Sequence, residues 1–272
     1  MFNRDLEVTT VDHYTAKNTM YAEKRNEDYH IVDREKGIFL VLDGVSRDAS
    51  NGVYETPHLV PDVVSTLGNF IYQHISNALN RSESIDIEQT LREAVSRGNA
   101  HIADMTCHYS FKPGAVGIVS VICHKRFYYA FIGDCTGLVI HADKTVTEFT
   151  ENQTEKLHHY IKQYAETQGR RLSKDEIRNE ICNHSDSPLG YGVLDGNPRA
   201  LDFVKTAAMP LSACDVIVLC TDGIEQYIKA EYVVPKRVLS SAEEIIEASN
   251  AMDEKRQKRH DDKTLIIIRI GA

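Results

Sequence analysis

Phe39-Leu40-Val41-Leu42-Asp43-Gly44 and Val218-Leu219-Cys220-Thr221-Asp222-Gly223 are built alike: an apolar run of strand character ends in Asp-Gly. Asp261-Asp262-Lys263-Thr264 reverses the order, with acids placed directly before the apolar run 265–270. Runs of this kind predict buried strands. Carboxylates at the ends of buried strands, once gathered by the fold, are what a hard divalent cation requires. Mg²⁺ and Mn²⁺ take oxygen ligands, usually a few carboxylates together with waters. Asp-Gly is also a common turn dipeptide. Asp195-Gly196, inside Val193-Leu194-Asp195-Gly196-Asn197-Pro198, reads as an ordinary turn. The weight therefore rests on the spaced set and not on any single dipeptide.

Working outward, 272 residues suffice for one large domain or two small ones. Apolar content of 42% and charged content of 26% are those of a globular protein. A net charge of −9 argues against a nucleic-acid binder, whose footprint would be basic. The sequence has no apolar run long enough to span a membrane, and Met1-Phe2-Asn3-Arg4-Asp5 lacks a signal-peptide core. The six cysteines form no CxxC pair, which speaks against a zinc site, and a reduced, cytoplasmic setting is expected. His158-His159 has no metal-motif context and reads as a solvated helix face.

Strands are predicted at 29–32, 38–42, 116–123, 127–132, 138–141, 216–220 and 265–270, with His124-Lys125-Arg126 as a hairpin tip. Apolar residues at helical spacing predict helices over 56–80 and 86–105. A further helix opens at Ser241, whose hydroxyl suits an N-cap, followed by acids that suit the helix dipole. Hairpin-connected strands with helices in separate blocks predict an α+β fold. Residues 150–187 are polar and poor in β-branched residues, and read as a surface insertion with one or two short helices. Because the sequence shows no repeat or composition break, residues 1–272 are expected to form a single domain.

The acids fall in a fixed order. Arg25-Asn26-Glu27-Asp28 precedes a strand, Asp43-Gly44 and Ile132-Gly133-Asp134-Cys135 follow strands, then come Leu189-Gly190, Cys220-Thr221-Asp222-Gly223 and Asp261-Asp262-Lys263-Thr264. This order resembles the metal-dependent protein phosphatases of type 2C, the PPM superfamily, in its bacterial form, over nearly the whole chain. Gly114-Ala115-Val116-Gly117 stands where that family has a Gly-Thr-Thr turn. The resemblance implies a four-layer α-β-β-α sandwich of two antiparallel sheets, with 150–187 as a flap. It implies two Mn²⁺ or Mg²⁺ ions at one edge of the sheets. Asp43 would bridge both, the Gly44 carbonyl would serve one, Asp222 and Asp261 would bind the first and Glu27 the second. Asp28 would order this shell, and Asp134 is the candidate for a third ion. Asp43, Asp222 and Asp261 thereby carry catalysis, in which a metal-activated bridging water attacks phosphorus directly. The implied substrate is a phosphoserine or phosphothreonine protein, paired with a cognate kinase.

The sequence also departs from that pattern. Glu23 stands at the family's phosphate-binding arginine position, five residues before Asp28. Arg25 is the expected replacement because a guanidinium fork suits phosphate, with Lys24 and Arg47 as alternatives. Val45-Ser46-Arg47 replaces the segment where many members carry a histidine, and Gln226 stands where many carry a third-metal aspartate. The run Lys255-Arg256-Gln257-Lys258-Arg259-His260 reads first as a solvated helix end, with a role in drawing a phosphorylated substrate toward the acids as the alternative. Two other readings follow: a pseudophosphatase that binds without turnover, and a phosphatase of small metabolites.

Overall fold

The computed structural model describes residues 8–19, 23–46, 59–81, 85–231, 234, 240–257 and 261–271. The apolar runs become the central strands of two five-stranded antiparallel sheets. The first sheet has the order β1 (Val8–Ala16), β10 (Lys263–Ile270), β9 (Val216–Cys220), β6 (Thr136–Ile140), β7 (Val146–Glu148). The second has the order β2 (Tyr29–Asp33), β3 (Ile38–Val45), β4 (Gly114–Cys123), β5 (Arg126–Ile132), β8 (Lys205–Pro210).

Side-chain alternation makes both faces of each sheet apolar, which is why the runs show no polar beat. In β3, Phe39 and Val41 point between the sheets, where they join Ile118, Ile217, Ile266 and Ile268. Ile38, Leu40 and Leu42 point the other way, into a core shared with α1 (Leu59–Arg81) and α2 (Ile87–His101). On the far side, Leu265, Ile267 and Val218 pack against α6 (Asp222–Gln226), the π-helix Tyr227–Glu231 and α7 (Ala242–Arg256). The order of layers is therefore helix, sheet, sheet, helix.

Local chemistry sets the ends of these elements. Asp86 caps α2 by accepting the Gln89 N–H at 3.0 Å. Ser241 and Glu244 form a reciprocal capping box at the start of α7. The β4–β5 hairpin turns on His124 and Lys125, both in the left-handed region (φ 50° and 61°), as a two-residue hairpin requires. The predicted helix 86–105 ends at His101, and a separate turn, α3 (Ala103–Thr106), follows Ile102. The expected start of α1 at residue 56 lies outside the described residues. Strands β1, β7 and β8 carry no apolar run and were not predicted.

Within 150–187 the structure has two helices, α4 (Glu155–Gln168) and α5 (Lys174–Glu180). Leu157 is buried in the inter-sheet core, with Ile161 and Ile177 packed against that core. The Lys174 ammonium donates to the Ser46 carbonyl at 3.3 Å, so α5 lies over the end of β3. Asp195-Gly196 is a turn, as read, with Gly196 at φ 88°. Asp195 is nevertheless a buried acid, which corrects the reading of it as ordinary. Its Oδ2 accepts from Arg178 Nη2 at 3.0 Å, and its Oδ1 accepts from Asn183 Nδ2 at 3.1 Å and Asn197 N–H at 3.0 Å. Arg178 also donates to the Lys112 carbonyl at 2.7 Å and stacks over the Phe111 ring.

Candidate metal centre

The strand ends bring the predicted acids to one edge of the paired sheets. Asp43 lies two residues before the end of β3, Asp134 follows β5, Asp222 opens α6 with one residue, Thr221, between it and β9, and Asp261 stands two residues before β10. Two glycines permit this crowding. A Cβ on Gly44 would lie 2.5 Å from the Glu27 carbonyl oxygen, and one on Gly223 only 2.0 Å from that of Asp262. The Asp-Gly pairs are thus places where one backbone presses against another.

Asp28 is held most firmly. Its Oδ2 accepts from the Thr221 hydroxyl at 2.9 Å and the Thr264 hydroxyl at 2.8 Å. Thr264 N–H in turn donates to Thr221 Oγ1 at 3.0 Å. Two strands of one sheet therefore fix an acid that leads into the other sheet. Asp134 Oδ2 accepts from the Thr154 hydroxyl at 3.0 Å, which ties it to the start of α4. The sequence reading did not single out Thr154, Thr221 or Thr264. The local signal is slight: Thr221 directly before Asp222, and Thr264 two residues after Asp262.

The carboxylates resist sharing charge. Burial first, then repulsion from Asp222 and Asp28, raises the Asp43 carboxyl well above the ordinary range. Burial, then Asp134 and Asp261, lifts Asp222 to about 7, against an opposing hydrogen bond with Asp43. Asp28 and Asp134 are raised as well, burial leading in both. The Cys135 thiol is pushed up by burial and then by Asp43 and Asp134, so it is no thiolate nucleophile.

Among the described residues, no three His, Cys, Asp or Glu side chains form a ready-made metal-ligand group. The fit to Mn²⁺ or Mg²⁺ therefore rests on donor chemistry. Among the described residues three buried carboxylate oxygens have no hydrogen-bond partner: Glu27 Oε1, Asp28 Oδ1 and, on the π-helix, Glu231 Oε2, whose carboxylate is already paired with Arg256. A hard cation is the partner such oxygens lack. The donors are all oxygen, and the strained acids would ionise around a divalent charge. The residues fit the ions.

A pH signature follows. Asp222 keeps a proton in the folded chain up to about pH 7 that the unfolded chain releases near its ordinary value of 3.8. Without metal, stability is therefore lost as pH rises through 7. His30, lowered to about 4, acts only below its ordinary 6.5. Melting in chelator should thus occur at a higher temperature at pH 6.5 than at pH 8. Saturating Mn²⁺ should reverse that order, because ligands must be ionised. A chelator-treated protein more stable at pH 8 would refute the electrostatic account of the cluster.

The cations are distributed differently from expectation. Arg25 Nη1 pairs with Asp62 on α1 at 2.9 Å, both side chains being about half exposed (51% and 55%). Lys24 is the cation inside the acid group: its Nζ lies 2.9 Å from Glu27 Oε2 and 3.1 Å from Asp262 Oδ2, all three side chains being buried. Arg47 lies outside the described residues, as do Lys258, Arg259 and His260. Arg256 ends α7 and bonds Glu231.

A cleft of about 310 Å³ opens beside Asp43, Asp134 and Asp222. Its other walls include Phe111, Leu157, Ile177, His158 and Lys174. His158 is exposed on its helix face, as read, and also borders this cleft. Gln226 lines a separate cleft with Asp222 and Asp261.

No curated protein matches the chain significantly. Among solved structures it is similar to the serine/threonine phosphatase PstP/Ppp of Mycobacterium tuberculosis, with 16% identity and a TM-score of 0.64 over 97% of this chain and 99% of that one. The catalytic domain of PstP in complex with two manganese ions gives 17% and 0.64, over 97% and 98% of the two chains. PppA of Pseudomonas aeruginosa, a key regulatory component of T6SS, gives 14% and 0.64, over 96% and 97%. At these identities the likeness is one of fold. In sequence, the profile of protein phosphatase 2C matches residues 17–260. Sheets, acids and profile agree: the chain belongs to the protein phosphatase 2C family.

Proposed function

We propose that this chain is a Mn²⁺- or Mg²⁺-dependent phosphatase of phosphoserine and phosphothreonine in proteins. The observation that carries the reading is the set of acids crowded at one sheet edge, with buried carboxylate oxygens lacking partners. In this reading Asp43, Asp222 and Asp261, with the Gly44 carbonyl and Glu27, hold two ions. Asp28 is locked through Oδ2 by Thr221 and Thr264, which leaves Oδ1 uncommitted among the described residues, and Asp134, steadied by Thr154, is the candidate for a third. When bound, the ions neutralise phosphoryl oxygens and acidify a water for direct attack on phosphorus.

The protein's own groups do the rest. The cleft beside Asp43 and Asp222 receives the chain that bears the phosphate, with Lys174 and His158 at its polar wall and α4 and α5 acting as the flap. Arg25 is the phosphate contact. Its exposed pair with Asp62 is worth about 0–1 kcal/mol, little enough to exchange for a dianion. Residues 1–272 work as one domain, with a phosphorylated protein and its kinase as partners. The free cysteines suit the reducing cytoplasm.

The test is hydrolysis of an aryl phosphate and a panel of phosphoserine and phosphothreonine peptides with Mn²⁺ and with chelator. Turnover that appears with Mn²⁺ and is lost on chelation is expected. The pseudophosphatase reading draws on Glu23, Gln226 and the unformed ligand group. Phosphopeptide binding without turnover would establish it in place of the enzyme.

A further inference from the structure

Lys24 has no part in the reading above, yet it is a buried cation held directly between two acids, Glu27 and Asp262. Its ammonium bridges Glu27 Oε2 at 2.9 Å and Asp262 Oδ2 at 3.1 Å, and the three side chains are 6%, 3% and 4% exposed. Asp262 is otherwise committed to the backbone: Oδ1 accepts the Asn18 N–H and Oδ2 the Glu27 N–H at 2.9 Å. Asp262 therefore pins the backbone of Asn18 and of Glu27 to the start of β10, and Lys24 neutralises the charge this pin introduces. Lys24 thus occupies Glu27 Oε2, and Oε1 is the buried oxygen with no geometric hydrogen-bond partner among the described residues.

We propose that Lys24 is a built-in counter-cation that sets, and lowers, the affinity of the Glu27 side of the site for a divalent ion. The inference rests on the acids binding metal. A fixed positive charge touching Glu27 repels an incoming cation and occupies one of its two oxygens. Lys24 is a positioning residue: it acts through Glu27 and Asp262 and touches no substrate. It makes occupancy of the Glu27 side dependent on the metal concentration around the protein, while the other acids bind regardless.

Mn²⁺ titration followed by calorimetry and by electron paramagnetic resonance of free Mn²⁺ tests this without turnover. Lys24→Met keeps the aliphatic stem and removes the charge. It should tighten the weaker Mn²⁺ by about tenfold or more, whereas Lys24→Arg should keep wild-type affinity. A purely structural lysine would instead lower the melting temperature in chelator and leave Mn²⁺ affinity unchanged or weaker, and that result would overturn the proposal. If Lys24→Met fails to fold, the double variant Lys24→Met/Asp262→Asn removes cation and pinned acid together. It should bind the weaker Mn²⁺ more tightly than Asp262→Asn alone, and equal affinities would refute the idea. Wild-type protein that binds no Mn²⁺ at all would refute the metal reading itself, which is a distinct outcome.

Discussion

Asp43→Asn should lower Mn²⁺-dependent phosphate hydrolysis by about a thousandfold or more while the protein stays folded. Metal ions contribute several kcal/mol to stabilising a phosphoryl-transfer transition state, and each 1.36 kcal/mol is a factor of ten. Asn preserves the size of the side chain near the end of β3 but removes the charge that, in the proposed reading, would serve the cations. The metal-free protein should respond in the opposite direction. Asp43 is pressed by Asp222, Asp28, Asp134 and Asp261, so a neutral residue relieves repulsion and should raise the melting temperature in chelator at pH 8. Loss of activity with a gain in metal-free stability is a signature that misfolding cannot imitate. Near-normal turnover by Asp43→Asn would end the two-ion reading.

Asp195→Asn should destabilise the protein by about 3–5 kcal/mol, the usual loss when one partner of a buried ion pair is removed. The acid and Arg178 are 8% and 5% exposed. Every hydrogen bond to the Asp195 carboxylate comes from a donor, namely Arg178, Asn183 or Asn197. An amide NH₂ would face one of those donors, and Arg178 would lose its compensating charge. In a protein of this size about 3 kcal/mol lowers Tm by roughly 6–12 °C. Thermal melts check the size of the shift, and a Mn²⁺ titration below Tm should be nearly unchanged. A change of less than 1 °C would mean that the ion pair contributes nothing.

These two aspartates show what was legible in the sequence. Asp43 was found because it ends a run apolar on both faces, and burial between two layers leaves that trace in the chain. The same logic located β3, β4, β5, β9 and β10. It missed β1, β7 and β8, each the outermost strand at an edge of its sheet. An edge strand keeps polar residues, as in Val8–Ala16, and pairs with one neighbour only. Asp195 was misjudged because its ion partner lies 17 positions away on another element. Lys24 and Asp262, from opposite ends of the chain, form a pair that no local spacing encodes.

The same long reach has a consequence for how the protein is made. Thr264 reaches back 236 residues to hold Asp28, and β10 separates β1 from the rest of its sheet. At about 5–20 residues per second, ribosomal synthesis leaves roughly 12–47 s between the appearance of Asp28 and that of Thr264, the later half of its clamp. During that interval β1 has no strand to join and the second sheet stands without its full lid. Contacts this remote in sequence also form late, because loop closure must precede any reward. The nascent chain is therefore exposed longest at its first strand, where Asp12 and His13 oppose pairing with foreign edges. The clamp on Asp28 is completed only when residue 264 has emerged, so a chain truncated before it would carry most of the charge and only the Thr221 half of the clamp.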